Sequence, residues 1–518
     1  MGLVYLPGAL PCFETFGNLP TDLVREDGSV AGKPASEVLD MIIIPGGSLV
    51  ESQTLKGDLV KEIFKMADQG KFVLGICSGF QVISRGTDIG RLSSKPIMRD
   101  GLGLIDAEFS PLICTDQVKA TVVGTSCLTD AVGAEVEGFH CHTYGHIVLH
   151  KKANPILVSH TKRLNYHKDT RDLVSGISNA EGNIVGIIMH ALLDRNPIII
   201  EGIQKSLDIP ADELLEIRVA NAKLLKIIKS EVGISTQIHI AKTTQNIGAK
   251  KTLLITASGS GSGKTFIVTG LAGALKKRGF KVGVIKVGGD IRDIVPALYI
   301  IKEPMRTYSS IKIGESGWKA PFDVIREAGK DYNFVIVEGA MSAFTGLLMD
   351  KVARPTSTVE VAAALGVPTV MVVGCDKEGI EGGLVSALNY VNLLKTLGIK
   401  IVGVILNKVH TSYLTDEIKS VLKRAFESAG VELLGIVPRI VLEGRGAIPE
   451  IEIKYEEFSV KAIETVETSM DLDKIVQTAA PAMETQIDYE AFVEKFRNTV
   501  LNDFGFGTSK DGGKDRCL

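Results

Sequence analysis

Cys77 and Lys264 are the residues whose surroundings in the chain suit them best to chemistry. Gly75-Ile76-Cys77-Ser78-Gly79 follows the apolar run Lys71–Leu74 and precedes Phe80-Gln81-Val82-Ile83, which reads as a helix. A cysteine between glycines at a strand-to-helix corner is the sharp turn that exposes a nucleophile above a sheet. The helix start favours thiolate. The N–H of Ser78 can stabilise an oxyanion, and a second N–H can come from Gly47 in the Pro45-Gly46-Gly47 turn that ends a neighbouring strand. A nucleophile of this kind needs a base; Gly186-Ile187-Ile188-Met189-His190 puts an imidazole at the end of a late strand. The competing reading of Cys77 is a small buried hydrophobe. His140, His142 and His146 form a second cluster with Cys141. Their spacing fits no zinc signature, although strand alternation puts His140, His142 and Tyr144 on one face.

Lys264 closes the segment Ser258-Gly259-Ser260-Gly261-Ser262-Gly263-Lys264-Thr265, which follows the run Thr252–Ile255 and opens a helix, Phe266 to Lys277. In that context Gly261, Ser262 and Gly263 turn backbone N–H groups around phosphate. Lys264 reaches the outer phosphates and Thr265 ligates Mg²⁺. Ser258 stands where the strict pattern has Gly; a Gly/Ser turn without ligand is the alternative. Glu338 ends the apolar run Phe334–Val337 and is a candidate Mg²⁺ ligand, its competitor a solvated strand-end carboxylate. Lys286-Val287-Gly288-Gly289-Asp290 also follows a strand, so Lys286 is expected to face the phosphate and Asp290 the metal. Asn407, after Val402–Leu406, is expected on the nucleotide base.

Elements that place these groups can be read from the apolar runs. Short runs bounded by Gly or Pro alternate with helical stretches, the pattern of buried parallel strands. Strands are expected at Met41–Ile44, Val282–Ile285, Thr369–Val373 and Leu433–Val437 besides those named, and a helix from Pro210 to Glu231. The fold class is therefore α/β, two doubly wound, Rossmann-like parallel-sheet domains. The boundaries expected are 1–206, a helical linker 207–247, 248–475, and a C-terminal helix and tail 476–518, with the helix at Tyr489–Val500 and fraying from Gly505 onward.

The chain of 518 residues is 45% hydrophobic and 23% charged, ordinary for a globular protein long enough for two or three cores. A net charge of −3 gives no argument for nucleic acid. No apolar run approaches the roughly 18 residues of a membrane span. The start lacks a signal-peptide pattern, and seven scattered cysteines fit reduced thiols; the expected compartment is the cytoplasm.

With these residues in hand, the first ~205 residues resemble the triad-type glutamine amidotransferase domain of the cobyric acid synthase family. The matching stretches are Phe13-Glu14-Thr15-Phe16, Ile44–Gly47, Gly75–Gln81, Asp100–Leu104, Gly138–His142 and Gly182–His190. The resemblance makes Cys77 the thiol that attacks glutamine and His190 its base. Many glutaminases have Glu two residues after that His. Leu192 stands there, so the sequence does not name what orients His190. Residues from about 250 to 475 are similar to the ATPase domain of the cobyrinate a,c-diamide synthases and, more distantly, dethiobiotin synthetase. Ala257–Thr265, Lys286–Asp290, Val337–Met341, Gly403–Lys408 and Val437-Pro438-Arg439 carry this likeness.

Together the resemblances imply an ATP- and Mg²⁺-dependent amide ligase. It would phosphorylate a small-molecule carboxylic acid, a tetrapyrrole or corrinoid precursor, and amidate it with ammonia from glutamine, without nucleic acid or membrane, and a homodimer is compatible with this. Two departures bear on the acceptor. The glutaminase comes first here, where the tetrapyrrole amidases put the ATPase first. Ile291-Arg292-Asp293-Ile294 also replaces the usual Tyr-Ile-Asp-Pro run. The alternatives are a non-tetrapyrrole acid, or a P-loop switch ATPase with a regulatory glutaminase-like domain. Switch ATPases usually carry an extra lysine early in the loop, and Gly259 and its neighbours offer none.

Overall fold

The computed structural model describes residues 1–5, 14–48, 55–231, 250–314, 319–349, 354–441 and 453–503. Phe13 and the tail from Gly505 lie outside them.

In the first half, Asp22–Val24, Gly2–Val4, Met41–Ile44, Phe72–Ile76 and Ile184–Ile187 lie side by side in parallel. All four residues of Met41–Ile44 and of Ile184–Ile187 are buried. Such runs must be covered on both faces, as in parallel sheets. The expected all-parallel sheet is extended by four antiparallel strands, His167–Ser178, Asn154–Leu164, Gln117–Val122 and Glu135–Phe139. In Gln117–Val122 apolar and polar residues alternate, and every second position is buried. This is the signature of a half-solvated antiparallel strand, which a search for continuous apolar runs passes over. A four-stranded sheet (His146–Leu149, Ala107–Ser110, Gly86–Asp88, Met98–Asp100) lies beside it.

The second half is one parallel sheet in the order Ser310–Ile311, Val282–Val287, Phe334–Glu338, Lys251–Ala257, Thr369–Gly374, Ile401–Val409, Glu432–Pro438. Every longer strand expected from the sequence is present, within two or three residues at its ends. The order places the phosphate-loop strand, Lys251–Ala257, between Phe334–Glu338 and Thr369–Gly374, at the switch point where ligands bind in such sheets. Helix Lys264–Lys277 packs on Tyr455–Ser469. Beyond 475 the chain still contributes to this core. Ala480 bridges to Thr252, and Phe492 and Val493 of helix Tyr489–Asp503 are buried.

Helix Leu214–Glu231 joins the halves. Asn221 Nδ2 donates to the Pro20 carbonyl, and Lys302 Nζ to the Lys229 carbonyl. Leu224 and Ile228 belong to an apolar cluster that runs from Leu74 and Ile187 of the first sheet to Leu253 and Ile336 of the second. No helix among the described residues is long and apolar enough to cross a membrane.

The Cys77 corner depends on how closely its helix approaches the sheet. A Cβ on Gly79 would meet the Ile44 carbonyl oxygen at 2.2 Å, a backbone atom that cannot swing aside. Gly79→Ala is expected to cost about 1–3 kcal/mol, the usual range for overpacking. Urea denaturation of the variant checks this, and an unchanged midpoint would contradict the packing argument.

Candidate functional site

Two clusters of functional side chains sit at the carboxyl ends of the two sheets. In the first, Cys77 has φ 52° and ψ −109° between strand Phe72–Ile76 and helix Ser78–Ile83. Strain of this kind, outside the ordinary regions for a non-glycine residue, is held only where surrounding contacts fix it. Its N–H donates to the Ile187 carbonyl at 2.8 Å. The thiol is a hydrogen-bond partner of the His190 imidazole. His190 is fixed by backbone bonds to Phe139 in both directions and stacks on the Phe139 ring, with centroids 5.2 Å apart.

His190 Nδ1 lies 2.6 Å from Glu14 Oε1, and both side chains are about 95% buried or more. Burial works against the imidazolium, but the Cys77 sulfur and the Glu14 carboxylate outweigh it and raise the imidazole to about 10. The cation therefore persists between carboxylate and sulfur at neutral pH. Glu14 is delivered by a loop that Asp194 holds. Thr15 N and Thr15 Oγ1 donate to its two carboxylate oxygens at 2.9 and 2.8 Å, and Gly17 N donates at 2.8 Å. Leu192, at the position where many glutaminases have Glu, is fully buried in the core instead. The Gly47 N–H and Ser78 meet at the corner, where the amide donates to Ser78 Oγ at 2.7 Å.

The histidine cluster divides. His146 lies apart, exposed, 2.9 Å from Ser110 Oγ. His140 and His142 lie 2.5 Å apart, buried with Cys114, the three donor atoms within 4.8 Å of one another. Burial depresses both imidazoles, His140 to about 3, and pushes the Cys114 thiol up to about 12. Neutral rings fit a relay without any ion: Ser159 Oγ to His140 Nε2, His140 Nδ1 to His142 Nε2, and His142 Nδ1 to the Leu112 carbonyl.

In the second cluster Gly263 has φ +85°, and a Cβ there would meet Asn407 Nδ2 at 2.3 Å. That amide donates to the Ser262 carbonyl at 2.8 Å, so Asn407 braces the phosphate loop. Lys264 Nζ donates to the Met341 carbonyl. Thr265 Oγ1 donates to Glu338 Oε1 at 2.8 Å, and Lys286 Nζ lies 3.2 Å from the same oxygen. Glu338 is fully buried, which pushes its carboxyl up against the pull of Lys286. Its Oε2 has no hydrogen-bond partner. Burial disfavours the charge on Lys286, but Asp293 at 2.5 Å and Glu338 outweigh it and hold it above the usual lysine range.

The lysine's second acid is thus Asp293 rather than Asp290. Asp290 is gripped by Arg292, Nε to Oδ1 at 2.7 Å and Nη2 to Oδ2 at 2.6 Å, and accepts from the Tyr166 hydroxyl at 3.3 Å.

Residues 9–198 match the family model of the CobB/CobQ-like glutamine amidotransferase domain, and residues 253–443 that of the CobQ/CobB/MinD/ParA nucleotide binding domain. The chain joins these two domains. Among curated relatives, hydrogenobyrinate a,c-diamide synthase of Mycobacterium bovis is 35% identical over 187 residues, 36% of this chain and 39% of the relative. Cobyrinate a,c-diamide synthase of Clostridium tetani is 29% identical over 263 residues, 49% of this chain and 56% of the relative. Cobyric acid synthase of a Thermoanaerobacter species is 29% identical over 170 residues, 31% and 32% of the two chains. The matches therefore span between about a third and just over half of these relatives' lengths.

Within the amidotransferase domain, sequence reasoning did not assign Glu14 a role. The signal was there in two pieces: an acid inside the apolar stretch Phe13–Phe16, and Asp194 four residues after His190. Within the nucleotide-binding domain it placed Asp290 toward a metal and assigned Asp293, the acid that pairs with Lys286, no role.

Glu14→Gln removes, after the Cys77 sulfur, the second group that favours the His190 imidazolium, and the carboxylate that orients the ring. Under the glutaminase function proposed below, glutamine hydrolysis is expected to fall by on the order of 10⁴-fold, as when the orienting acid of a triad loses its charge; steady-state ammonia release checks it. Burial and the neighbouring Lys286 charge pull Lys264 down to about 8. A polyphosphate raises it again, so nucleotide affinity is expected to weaken as pH climbs through 8, with proton uptake on binding. Calorimetry in buffers of different ionisation heat measures that uptake, and a value of zero at pH 8.5 would contradict it.

Proposed function

We propose that this chain is an ATP-dependent, glutamine-hydrolysing amide ligase. The observation that carries the reading is that one chain holds both a Cys77–His190–Glu14 line and a Lys264/Thr265/Glu338/Lys286 phosphate cluster. Neither alone makes an amide: carboxylates do not react with ammonia at useful rates until they carry a leaving group.

In the amidotransferase domain, the Cys77 sulfur attacks the side-chain carbonyl of glutamine. The developing oxyanion is met by the N–H groups of Ser78 and Gly47, the latter exchanging its bond to Ser78 Oγ. His190, cationic against Glu14, gives its proton to the departing ammonia and then draws one from the water that cleaves the thioester. In the nucleotide-binding domain, the glycine-lined loop Gly261–Gly263 cradles the phosphates. Lys264 and Lys286 offset the negative charge as the γ-phosphoryl group passes to the acceptor carboxylate. Ammonia then attacks the acyl phosphate, forming the amide and releasing phosphate.

Thr265 and Glu338 suit Mg²⁺, because the buried, unpartnered Oε2 of Glu338 is a hard oxygen donor beside a hydroxyl. The ion's contribution would be charge neutralisation at the phosphates. Asp290 would reach it only by leaving Arg292.

A tetrapyrrole or corrinoid acid is the proposed acceptor, supported by the names of the relatives. The loop Ile291-Arg292-Asp293-Ile294 favours a second reading, a non-tetrapyrrole acid, since it departs from the usual Tyr-Ile-Asp-Pro run and its Arg292 bonds Tyr166 of the amidotransferase domain. ATP turnover against a panel of carboxylic acids, with glutamine present, separates the two.

Cys77→Ala is expected to abolish glutamine-dependent amidation, by at least a thousandfold, while keeping ammonia-dependent amidation. Lys264→Ala is expected to remove both. Amide formation from glutamine by the Cys77 variant would refute the assignment of the nucleophile.

A further inference from the structure

The 3-10 turn Ile291–Ile294 has a charged residue on each side of the boundary between the domains. Asp293 faces inward, to Lys286. Arg292, its neighbour, reaches the amidotransferase domain. Its Nη1 donates to Thr143 Oγ1 and its Nη2 to the Tyr166 hydroxyl at 2.6 Å, while Nε and Nη2 hold Asp290. The guanidinium centre lies 5.9 Å from the Tyr166 ring centroid, and the residue is only 7% exposed. Gly289 packs against the Arg163 guanidinium, which a Cβ there would displace.

On the far side, Thr143 ends the segment His140–Thr143, whose Cys141 carbonyl oxygen lies 4.0 Å from Cys77 Sγ. A second crossing runs parallel. Lys312 pairs with Asp116, and the Asp116 carbonyl accepts from His140 N–H at 2.8 Å. The contacts thus form one line: Thr265, Glu338, Lys286, Asp293, one backbone step to Arg292, Thr143, and Cys141 beside the thiol. A solvated ion pair at such a boundary would be worth little. A buried guanidinium fork with partners in three segments fixes direction as well as distance.

We propose that Arg292 is the positioning residue that couples the two sites, transmitting engagement of Lys286 by phosphate to the segment over Cys77. The inference rests on the reading of both sites given above. A phosphate at Lys286 competes with Asp293 for the ammonium group and loosens one anchor of the turn. Arg292, rigidly bonded to Thr143, carries the change to the amidotransferase domain. Glutamine hydrolysis would then be kept in step with ATP use.

The test is the rate at which iodoacetamide alkylates Cys77 in the full chain, read by mass spectrometry of the Cys77 peptide, with and without Mg-ATP. In the unsubstituted chain Mg-ATP is expected to change the rate about fivefold or more, the lower end of ordinary coupling between sites. Arg292→Lys, which cannot make the fork, and Thr143→Val, which removes one receiving hydroxyl at nearly constant shape, are each expected to bring the ratio below about twofold. ATP affinity should stay within about threefold. A purely structural fastener would lower the melting temperature and leave the ratio alone.

A ratio near one in the unsubstituted chain overturns the proposal, and so does an unchanged ratio in Thr143→Val and Arg292→Lys. The ligase reading fails on a different measurement: no ammonia released from glutamine by the unsubstituted chain, whatever the alkylation ratio.

Discussion

The Glu14 carboxylate and the His190 imidazole meet at 2.6 Å with almost no solvent around either, and the same constraint recurs at every chemically active point of this molecule. A charge taken out of water must be matched by a partner placed within hydrogen-bond reach. Lys286 is matched by Asp293 and Glu338, and Arg292 by Asp290. His190, Lys286 and Glu338 sit at or just beyond the end of a buried strand. The apolar runs that build the sheets are also what deprive the charges of water. Fold and reactivity are therefore one arrangement: the more continuous the strand, the drier its end, and the more strictly the partner must be positioned.

Groups that follow directly from local chain pattern were legible before any coordinates. Cys77, Lys264, Thr265 and Glu338 each stand at the end of a strand or the start of a helix, and the residues on either side announce it. The parallel strands of both sheets were readable for the same reason, since a fully buried strand is a continuous apolar run. Strands such as Gln117–Val122 were not, because half their residues face water and the run is broken.

Partners brought from afar were the harder part. Glu14 is separated from His190 by 176 residues and carries no helix or strand signal of its own. Asp290, expected to face a metal, is gripped by Arg292 two residues on, and the acid beside Lys286 is Asp293, a pairing that no local chain pattern announces. Asn407, expected on a base, also braces the phosphate loop, through a contact that exists because Gly263 has no side chain.

The glutamine-side groups Glu14, Gly47, Cys77, Ser78 and His190 all precede helix Leu214–Glu231, and the phosphate-side groups all follow it. No reacting atom is shared, and what spans the boundary is a handful of polar clasps and an apolar seam. Gene fusion, fission or shuffling could thus rearrange the halves without dismantling either reaction centre, provided the clasping faces still find each other. Natural selection acting on such an enzyme would conserve that seam, and leave the sequential order of its parts to historical accident.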